Sequence, residues 1–281
     1  MRILLTGRNG QVGWEVQKAL APLGELTALG RAELDLSDAG RLREAVREAN
    51  PDVIVNAAAY TAVDKAESER EAAFAVNATA PGILAEEAKR NGALLVHYST
   101  DYVFDGAKPV PYVEEDEPNP INVYGASKLA GERAIAGSGC RYLILRTSWV
   151  YGPRGSNFLL TILRVARERP ELRVVDDQIG APTSSRAIAR ATAQVLRPGA
   201  HGTYHLSAAG QVSWCGFARA ILARAGVATA VVPIRSEDYP AAARRPRNSR
   251  LDCSRLRETF GVALAPWEAG LAEVMAQHAR L

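Results

Sequence analysis

The sequence predicts an α/β fold: a doubly wound parallel sheet followed by a second, smaller lobe. Two observations carry this. Short buried apolar runs alternate with helical-period stretches over the first 150 residues, and a glycine-rich turn separates the first run from the first helix. At 281 residues the chain can form one large domain, or a domain with a lobe, and bury about three-quarters of its unfolded surface.

The elements follow in order. Ile3 to Thr6 is a short buried run, Gly7 to Gly13 a turn, and Trp14 to Leu20 a helix. Leu26 to Leu29 makes the second strand, and Arg41 to Ala49 an amphipathic helix ending at Asn50-Pro51. Val53 to Asn56 is the next strand, and Glu69 to Arg90 has helical spacing interrupted at Pro81. Leu94 to Thr100 and Tyr142 to Thr147 are further strands, with the Tyr124 segment as the helix between them. Repeated βα units of this kind cross over right-handed and place helices on both faces of a parallel sheet.

After Val150 the pattern loosens. Helices are read over 158–169, 185–196 and 214–225, a strand over 172–175, and a Pro/Arg-rich stretch over 240–250 precedes a last helical region. The reading assigns 1–150 to one domain and 151–281 mainly to a lobe, with segments of about 172–200 returning to the main sheet.

Composition narrows the function classes. A net charge of +3 demands neither a nucleic acid nor a membrane surface, and no apolar run approaches the ~20 residues of a membrane span. Cys140, Cys215 and Cys253 are odd in number, scattered and without metal spacing, so they read as free thiols in a reducing compartment. The first strand begins at once, leaving no room for a signal peptide, and the expected location is cytoplasmic.

The chemistry-bearing motifs lie at the ends of the predicted strands. Gly7, Gly10 and Gly13, with Gln11 and Val12 between them, occupy the strand–turn–helix context of a dinucleotide fingerprint, where a pyrophosphate meets a helix N-terminus. A tight structural turn is the bland alternative. The fold expectation is therefore Rossmann-type, with 1–150 binding the dinucleotide and the lobe the substrate. Near the end of the second strand, Leu29-Gly30-Arg31 carries an arginine and no acid, which suits a 2′-phosphate and hence NADPH, with NADH possible. Asp35 and Leu36 would bracket the adenine. Small residues after the third strand (Ala58 and Ala59, then Tyr60 and Thr61) would let the cofactor lie against the sheet edge.

Thr100 ends a buried strand, and Tyr124 and Lys128 follow four residues apart on one helix face. A free phenol titrates near pH ~10, and a neighbouring ammonium is expected to lower that value into a range useful for proton transfer. Joined to a dinucleotide site, these three residues point to nicotinamide-dependent reduction of a carbonyl. The Arg244–Arg250 cluster would supply a guanidinium for a substrate pyrophosphate, with Arg245 the chosen candidate and a solvated basic loop the alternative.

The order of these motifs resembles the extended short-chain dehydrogenase/reductase family acting on nucleotide sugars. Supporting stretches are Gly7–Glu15, Asn56–Glu67, Ser99–Gly106, Asn122–Glu132, Arg146–Gly152 and Asp177–Thr183, so the likeness covers nearly the whole chain. It implies a sugar-nucleotide substrate. The activity it implies is reduction of the C4 ketone of dTDP-6-deoxy-L-lyxo-4-hexulose to dTDP-L-rhamnose, the last step of dTDP-rhamnose synthesis. By the same resemblance Tyr124 donates the proton, Lys128 tunes it and holds the nicotinamide ribose, Thr100 and Asp101 touch the sugar, Trp149 lines its pocket, and Gln178 is a further substrate contact.

Rivals are a reductase of a different nucleotide 4-keto sugar, and a non-catalytic regulator resembling the regulatory subunit of methionine adenosyltransferase. A 4,6-dehydratase would carry an Asp-Glu pair after Thr100, where this chain has Asp101-Tyr102. Some family members are thought to dimerise through a magnesium ion. Glu15 matches one of its acids, but Arg186 stands where a carboxylate would be needed, which argues against Mg2+ and leaves a homodimer open.

Overall fold

The structure is a computed structural model that describes residues 1–278. Five strands alternate with helices in the first half: β1 (Arg2–Thr6), β2 (Glu25–Leu29), β3 (Val53–Asn56), β4 (Leu94–Thr100) and β5 (Arg141–Thr147). Four short strands follow, β6 (Val150–Tyr151), β7 (Glu171–Val175), β8 (Ile179–Gly180) and β9 (Thr183–Ser184), before β10 (Gly202–His205), β11 (Val212–Ser213) and β12 (Ala230–Ile234). The main sheet runs β10-β5-β4-β3-β1-β2, and every pairing in it is parallel.

Helices cover both faces. In chain order they are α1 (Gln11–Leu20), α2 (Ala39–Ala49), α3 (Val63–Ala66), α4 (Arg70–Phe74), α5 (Ala80–Asn91), α6 (Val123–Ser138), α7 (Phe158–Glu168), α8 (Ser185–Val195), α9 (Trp214–Ala225), α10 (Ser254–Phe260) and α11 (Trp267–His278). Val16, Leu20, Ile188, Val195, Leu256 and Phe260 bring α1, α8 and α10 onto one face. Leu42, Val46, Leu84, Ala88 and Ile135 bring α2, α5 and α6 onto the other. Both faces are apolar, so strand β4 is buried along its whole length. A separate core joins α7, α9 and α11 in the second half.

Three local readings differ from the sequence pattern. First, α1 starts at Gln11, inside the glycine turn, because Gly13 carries no side chain and lets the helix begin against the Gly7 carbonyl. Second, the helical stretch over 69–90 breaks into α4, a π-helical turn (Ala75–Thr79) and α5, which has Pro81 in its first turn. Third, the strand at 172–175 pairs with β12 in a small parallel sheet of the second half. What returns to the main fold is α8, packed on α1, and β10, paired with β5.

The face under α6 also carries ions. Glu132 of α6 receives Arg146 Nε at 3.0 and 3.2 Å and Arg146 Nη2 at 2.7 Å, with both side chains buried. Guanidinium and carboxylate match as forks, and neither has water to replace the other. Glu132→Gln should therefore strand the Arg146 charge and destabilise the fold by about 3–5 kcal/mol. Denaturant titration checks this, and an unchanged midpoint would show that the pair contributes nothing.

Candidate active site

The glycine turn is built by close approach. Gly7 has φ 78°, and a Cβ there would lie 2.6 Å from the Ala58 nitrogen. A Cβ on Gly13 would lie 2.1 Å from the Gly7 oxygen. Gly10 starts α1 with no side-chain cap and no acid in the first turn, whereas Asp38, Asn122, Asn157, Ser184 and Ser213 cap their helices by side chain. A helix start with bare N–H groups and no competing carboxylate fits a pyrophosphate. Gln11 accepts from Asn157 Nδ2 at 2.9 Å, tying this turn to the second half, while Val12 packs on the core.

At the end of β2 the picture changes from the sequence reading. An acid is present: Glu33 accepts from the Gly30 N–H at 2.8 Å and pairs with Arg8, which reaches back from the glycine turn. Arg31 is 90% exposed and meets only Asp35, at 3.6 Å. Two backbone and side-chain bonds from Ser37 hold the Asp35 carboxyl below its usual range, while Leu36 is buried. The guanidinium fixed at this corner is that of Arg8, and Glu33 orients it. Glu33 escaped the sequence reading because it lies beyond the turn rather than on the strand end.

The loop after β3 is clamped from the π-helical turn. Asn77 Oδ1 accepts from the Tyr60 N–H at 2.9 Å, and its Nδ2 donates to the Tyr60 carbonyl at 2.9 Å and to Ser127 Oγ at 3.0 Å. Ala58 and Ala59 are half-buried, Thr61 is exposed, and the Tyr60 hydroxyl donates to Glu69 at 2.6 Å.

Thr100, Asp101 and Tyr124 come together where β4 ends beside α6. The Tyr124 phenol lies beside the Thr100 hydroxyl, and Thr100 donates to Asp101 Oδ1 at 3.0 Å. Asn122 caps α6 on the Gly125 N–H at 2.7 Å and so sets where Tyr124 begins its turn. Tyr102 meets the Tyr124 ring edge-on, with centroids 5.7 Å apart. Contrary to the expectation from Tyr–Lys spacing, the phenol is pushed up to about 12: burial dominates, the neighbouring Thr100 hydroxyl opposes it, and the Asp101 charge adds to it. Lys128 does not bond the phenol. Its Nζ donates to the Tyr98 carbonyl at 2.6 Å and lies 3.1 Å from His97 Nε2. Burial also pushes the Asp101 carboxyl up to about 7, and its Oδ2 has no partner.

On the other side, a cleft of about 420 Å³ is bordered by Gln178, Tyr239, Arg244, Arg245 and Arg247. Arg245 is fixed by Asp64, with contacts of 2.6 and 3.2 Å, and Gln178 donates to Ser236 Oγ at 2.9 Å. Arg250 is held away by Asn248, Gln211 and the Pro109 carbonyl. Trp149 has φ 48° and is buried, one face stacked on Trp214 with centroids 3.5 Å apart. At Glu15 the neighbours are Lys18 at 3.3 Å and Arg186 at 3.9 Å, and Arg186 also meets Glu273 at 3.2 Å. Two cations on that carboxylate do not fit a metal as well. Among the described residues no helix is long and apolar enough to cross a membrane.

The chain is similar to known proteins. The dTDP-4-dehydrorhamnose reductase of Burkholderia thailandensis is 51% identical over 95% of this chain and 95% of its own. That of Escherichia coli K12 is 45% identical over 98% of this chain and 97% of its own. The crystal structure of dTDP-4-dehydrorhamnose reductase from Bacillus anthracis in complex with NADP superposes with a TM-score of 0.95 at 39% identity, covering 98% of this chain and 99% of that one. Residues 1–280 match the family described as RmlD substrate binding domain, and the chain belongs to that family.

Proposed function

We propose that this protein is an NADPH-dependent 4-ketoreductase that converts dTDP-4-dehydrorhamnose to dTDP-L-rhamnose, the last step of dTDP-rhamnose synthesis. The observation that carries this reading is the placement of Thr100 at the end of β4 beside Tyr124 of α6, with Lys128 one helical turn on, at the same sheet edge as the glycine turn. An intact pair supports turnover over a purely regulatory role. The relatives that carry the same name support the substrate.

Gly7, Gly10 and Gly13 would seat the cofactor pyrophosphate, Arg8 its 2′-phosphate end, and Lys128 the nicotinamide ribose. When bound, the cofactor supplies the hydride. The chain supplies the proton. A phenol pushed up to about 12 stays protonated at neutral pH, so Tyr124 keeps its proton until a stronger base, the alkoxide forming at C4, takes it. Thr100 orients the phenol, Asp101 lies beside it for a sugar hydroxyl, and Arg245, braced by Asp64, would take the diphosphate. With Arg186 on Glu15, any pairing of copies would be free of metal there. Free thiols at Cys140, Cys215 and Cys253 suit the reducing cytoplasm as the place of work.

Nicotinamide absorbance followed with a panel of dTDP-, UDP- and GDP-linked 4-keto sugars tests the assignment, and equal turnover of all three would remove the thymidine nucleotide from it. In Tyr124→Phe the ring volume stays and the donor goes, so kcat should fall by about 10²–10⁴-fold with NADPH affinity little changed. Near-full turnover by that variant would mean the proton comes from elsewhere. Arg8→Ala should raise KM for NADPH well above its effect on NADH, while Arg31→Ala does much less, since Arg31 is held only by Asp35. Equal KM changes for both cofactors would sink the role of Arg8. Trp149→Phe should lower the melting temperature as well as weaken substrate use, because the stack with Trp214 is part of the second core. A melting temperature equal to wild type would free Trp149 from that structural role.

A further inference from the structure

Many dinucleotide folds place an acid at the end of the second strand to accept from the ribose 2′-hydroxyl. Gly30 stands at that place here, and the turn after β2 brings a carboxylate back to it by another route. The Gly30 carbonyl accepts from the Glu33 N–H at 3.2 Å and the Leu34 N–H at 2.9 Å. That turn folds Glu33 onto the strand end, where its Oε2 accepts from the Gly30 N–H at 2.8 Å. A Cβ on Gly30 would lie 3.0 Å from this oxygen and 2.5 Å from Asn9 Nδ2. The Glu33 carboxylate therefore occupies the space that a strand-end side chain would need. The glycine turn is alongside, since the Gly7 and Arg8 N–H groups donate to the Leu29 carbonyl at 2.9 and 3.2 Å.

The second Glu33 oxygen, Oε1, pairs with Arg8 Nη2, and Arg8 Nη1 donates to the Ala28 carbonyl at 3.4 Å. These two side chains suit different ligands. A 2′-phosphate needs donors and positive charge, and a carboxylate repels it. A 2′-hydroxyl has a proton to give, and a carboxylate is its best acceptor. The Arg8 and Glu33 side chains are 39% and 40% exposed, so a ligand reaches both. Each still has hydrogens or lone pairs beyond the bonds it makes here. The other acid nearby, Asp35, is turned to Ser37 and Arg31.

We propose that Glu33 is the residue that lets this chain take NADH as well as NADPH, accepting the ribose 2′-hydroxyl of the one and opposing the 2′-phosphate that Arg8 attracts in the other. Arg8 and Glu33 then act as a two-sided selector, in which the carboxylate limits how far the guanidinium favours the phosphorylated cofactor. This inference rests on the cofactor assignment of the reductase reading and adds to it the determinant of cofactor choice.

The 2′ group belongs to the adenosine half, so the oxidised nucleotides report on it. Full-length protein is titrated by calorimetry with NADP+, NAD+ and NAD+ lacking the adenosine 2′-hydroxyl, with no sugar present. In Glu33→Gln the amide keeps an oxygen for the Gly30 N–H, but the charge is gone. NAD+ affinity should then fall about 10-fold, and the ratio of NADP+ to NAD+ affinity should rise by at least that factor. Were Glu33 only a brace for Arg8, the variant would lose NADP+ affinity and keep NAD+, and the ratio would fall. A falling or unmoved ratio overturns the proposal. Wild-type protein decides the matter even if the variant does not fold: it should bind NAD+ about 10-fold more tightly than the 2′-deoxy analogue, and equal affinities overturn the proposal as well. Failure of either kind leaves the reductase assignment standing, whereas wild-type protein that binds neither NADP+ nor NAD+ would remove the cofactor reading and this selector with it.

Discussion

Burying the nitrogen of Lys128 is the constraint around which this fold is arranged. A lysine removed from water needs partners for every hydrogen it keeps, and backbone is the cheapest source of acceptors. Strand β4 supplies the Tyr98 carbonyl, one residue past the point where its pairing with β3 ends at Asn56 and His97. The same strand supplies His97, whose far nitrogen then needs Asn56, whose oxygen in turn takes Thr6 and Ala58. One buried amine thus dictates side chains on three neighbouring strands. Thr6 and Ala58 flank the turn where Gly7 touches the loop after β3, so the Lys128 corner and the glycine turn are braced by one network.

A second set of contacts fixes distances between elements that the sheet alone leaves adjustable. Asn77 holds both polar groups of the Tyr60 peptide and the Ser127 hydroxyl, joining the loop after β3 to α6. It can do so because the π-helical turn shifts its side chain relative to a regular helix. Asp64 of α3, the helix that follows this loop, reaches Arg245 and the Ala243 N–H, which brings the second half over the sheet edge. The cleft exists between these two tethers.

Much of this was legible in the sequence, for physical reasons that can be named. Strands buried on both faces read as continuous apolar runs, so β1, β3, β4 and β5 stood out. The glycine turn and the Thr100, Tyr124 and Lys128 positions carried chemistry at recognisable spacing. Hidden from the sequence were contacts whose partners lie far apart along the chain: Arg8 with Glu33, Asn77 with Tyr60, His97 with Lys128. The expected lowering of the Tyr124 pKa failed for a related reason. Helical spacing places a lysine near a tyrosine, but which acceptor its nitrogen chooses, and how much water remains at the phenol, depend on the packed environment. The pairing of β7 with β12 was equally invisible, since Ala230–Ile234 is only partly buried and lacks a strong strand pattern.

The place of β10 in the sheet has a consequence for how the molecule is made. On a ribosome, β5 emerges with an apolar edge and stays without its neighbour until residue 205 has followed it. During that interval the nascent chain carries an open parallel edge of the kind that pairs with other chains. The first 150 residues are therefore not a self-sufficient unit in synthesis. Closure of the sheet, and with it α8 settling on α1, is deferred to the second half of translation.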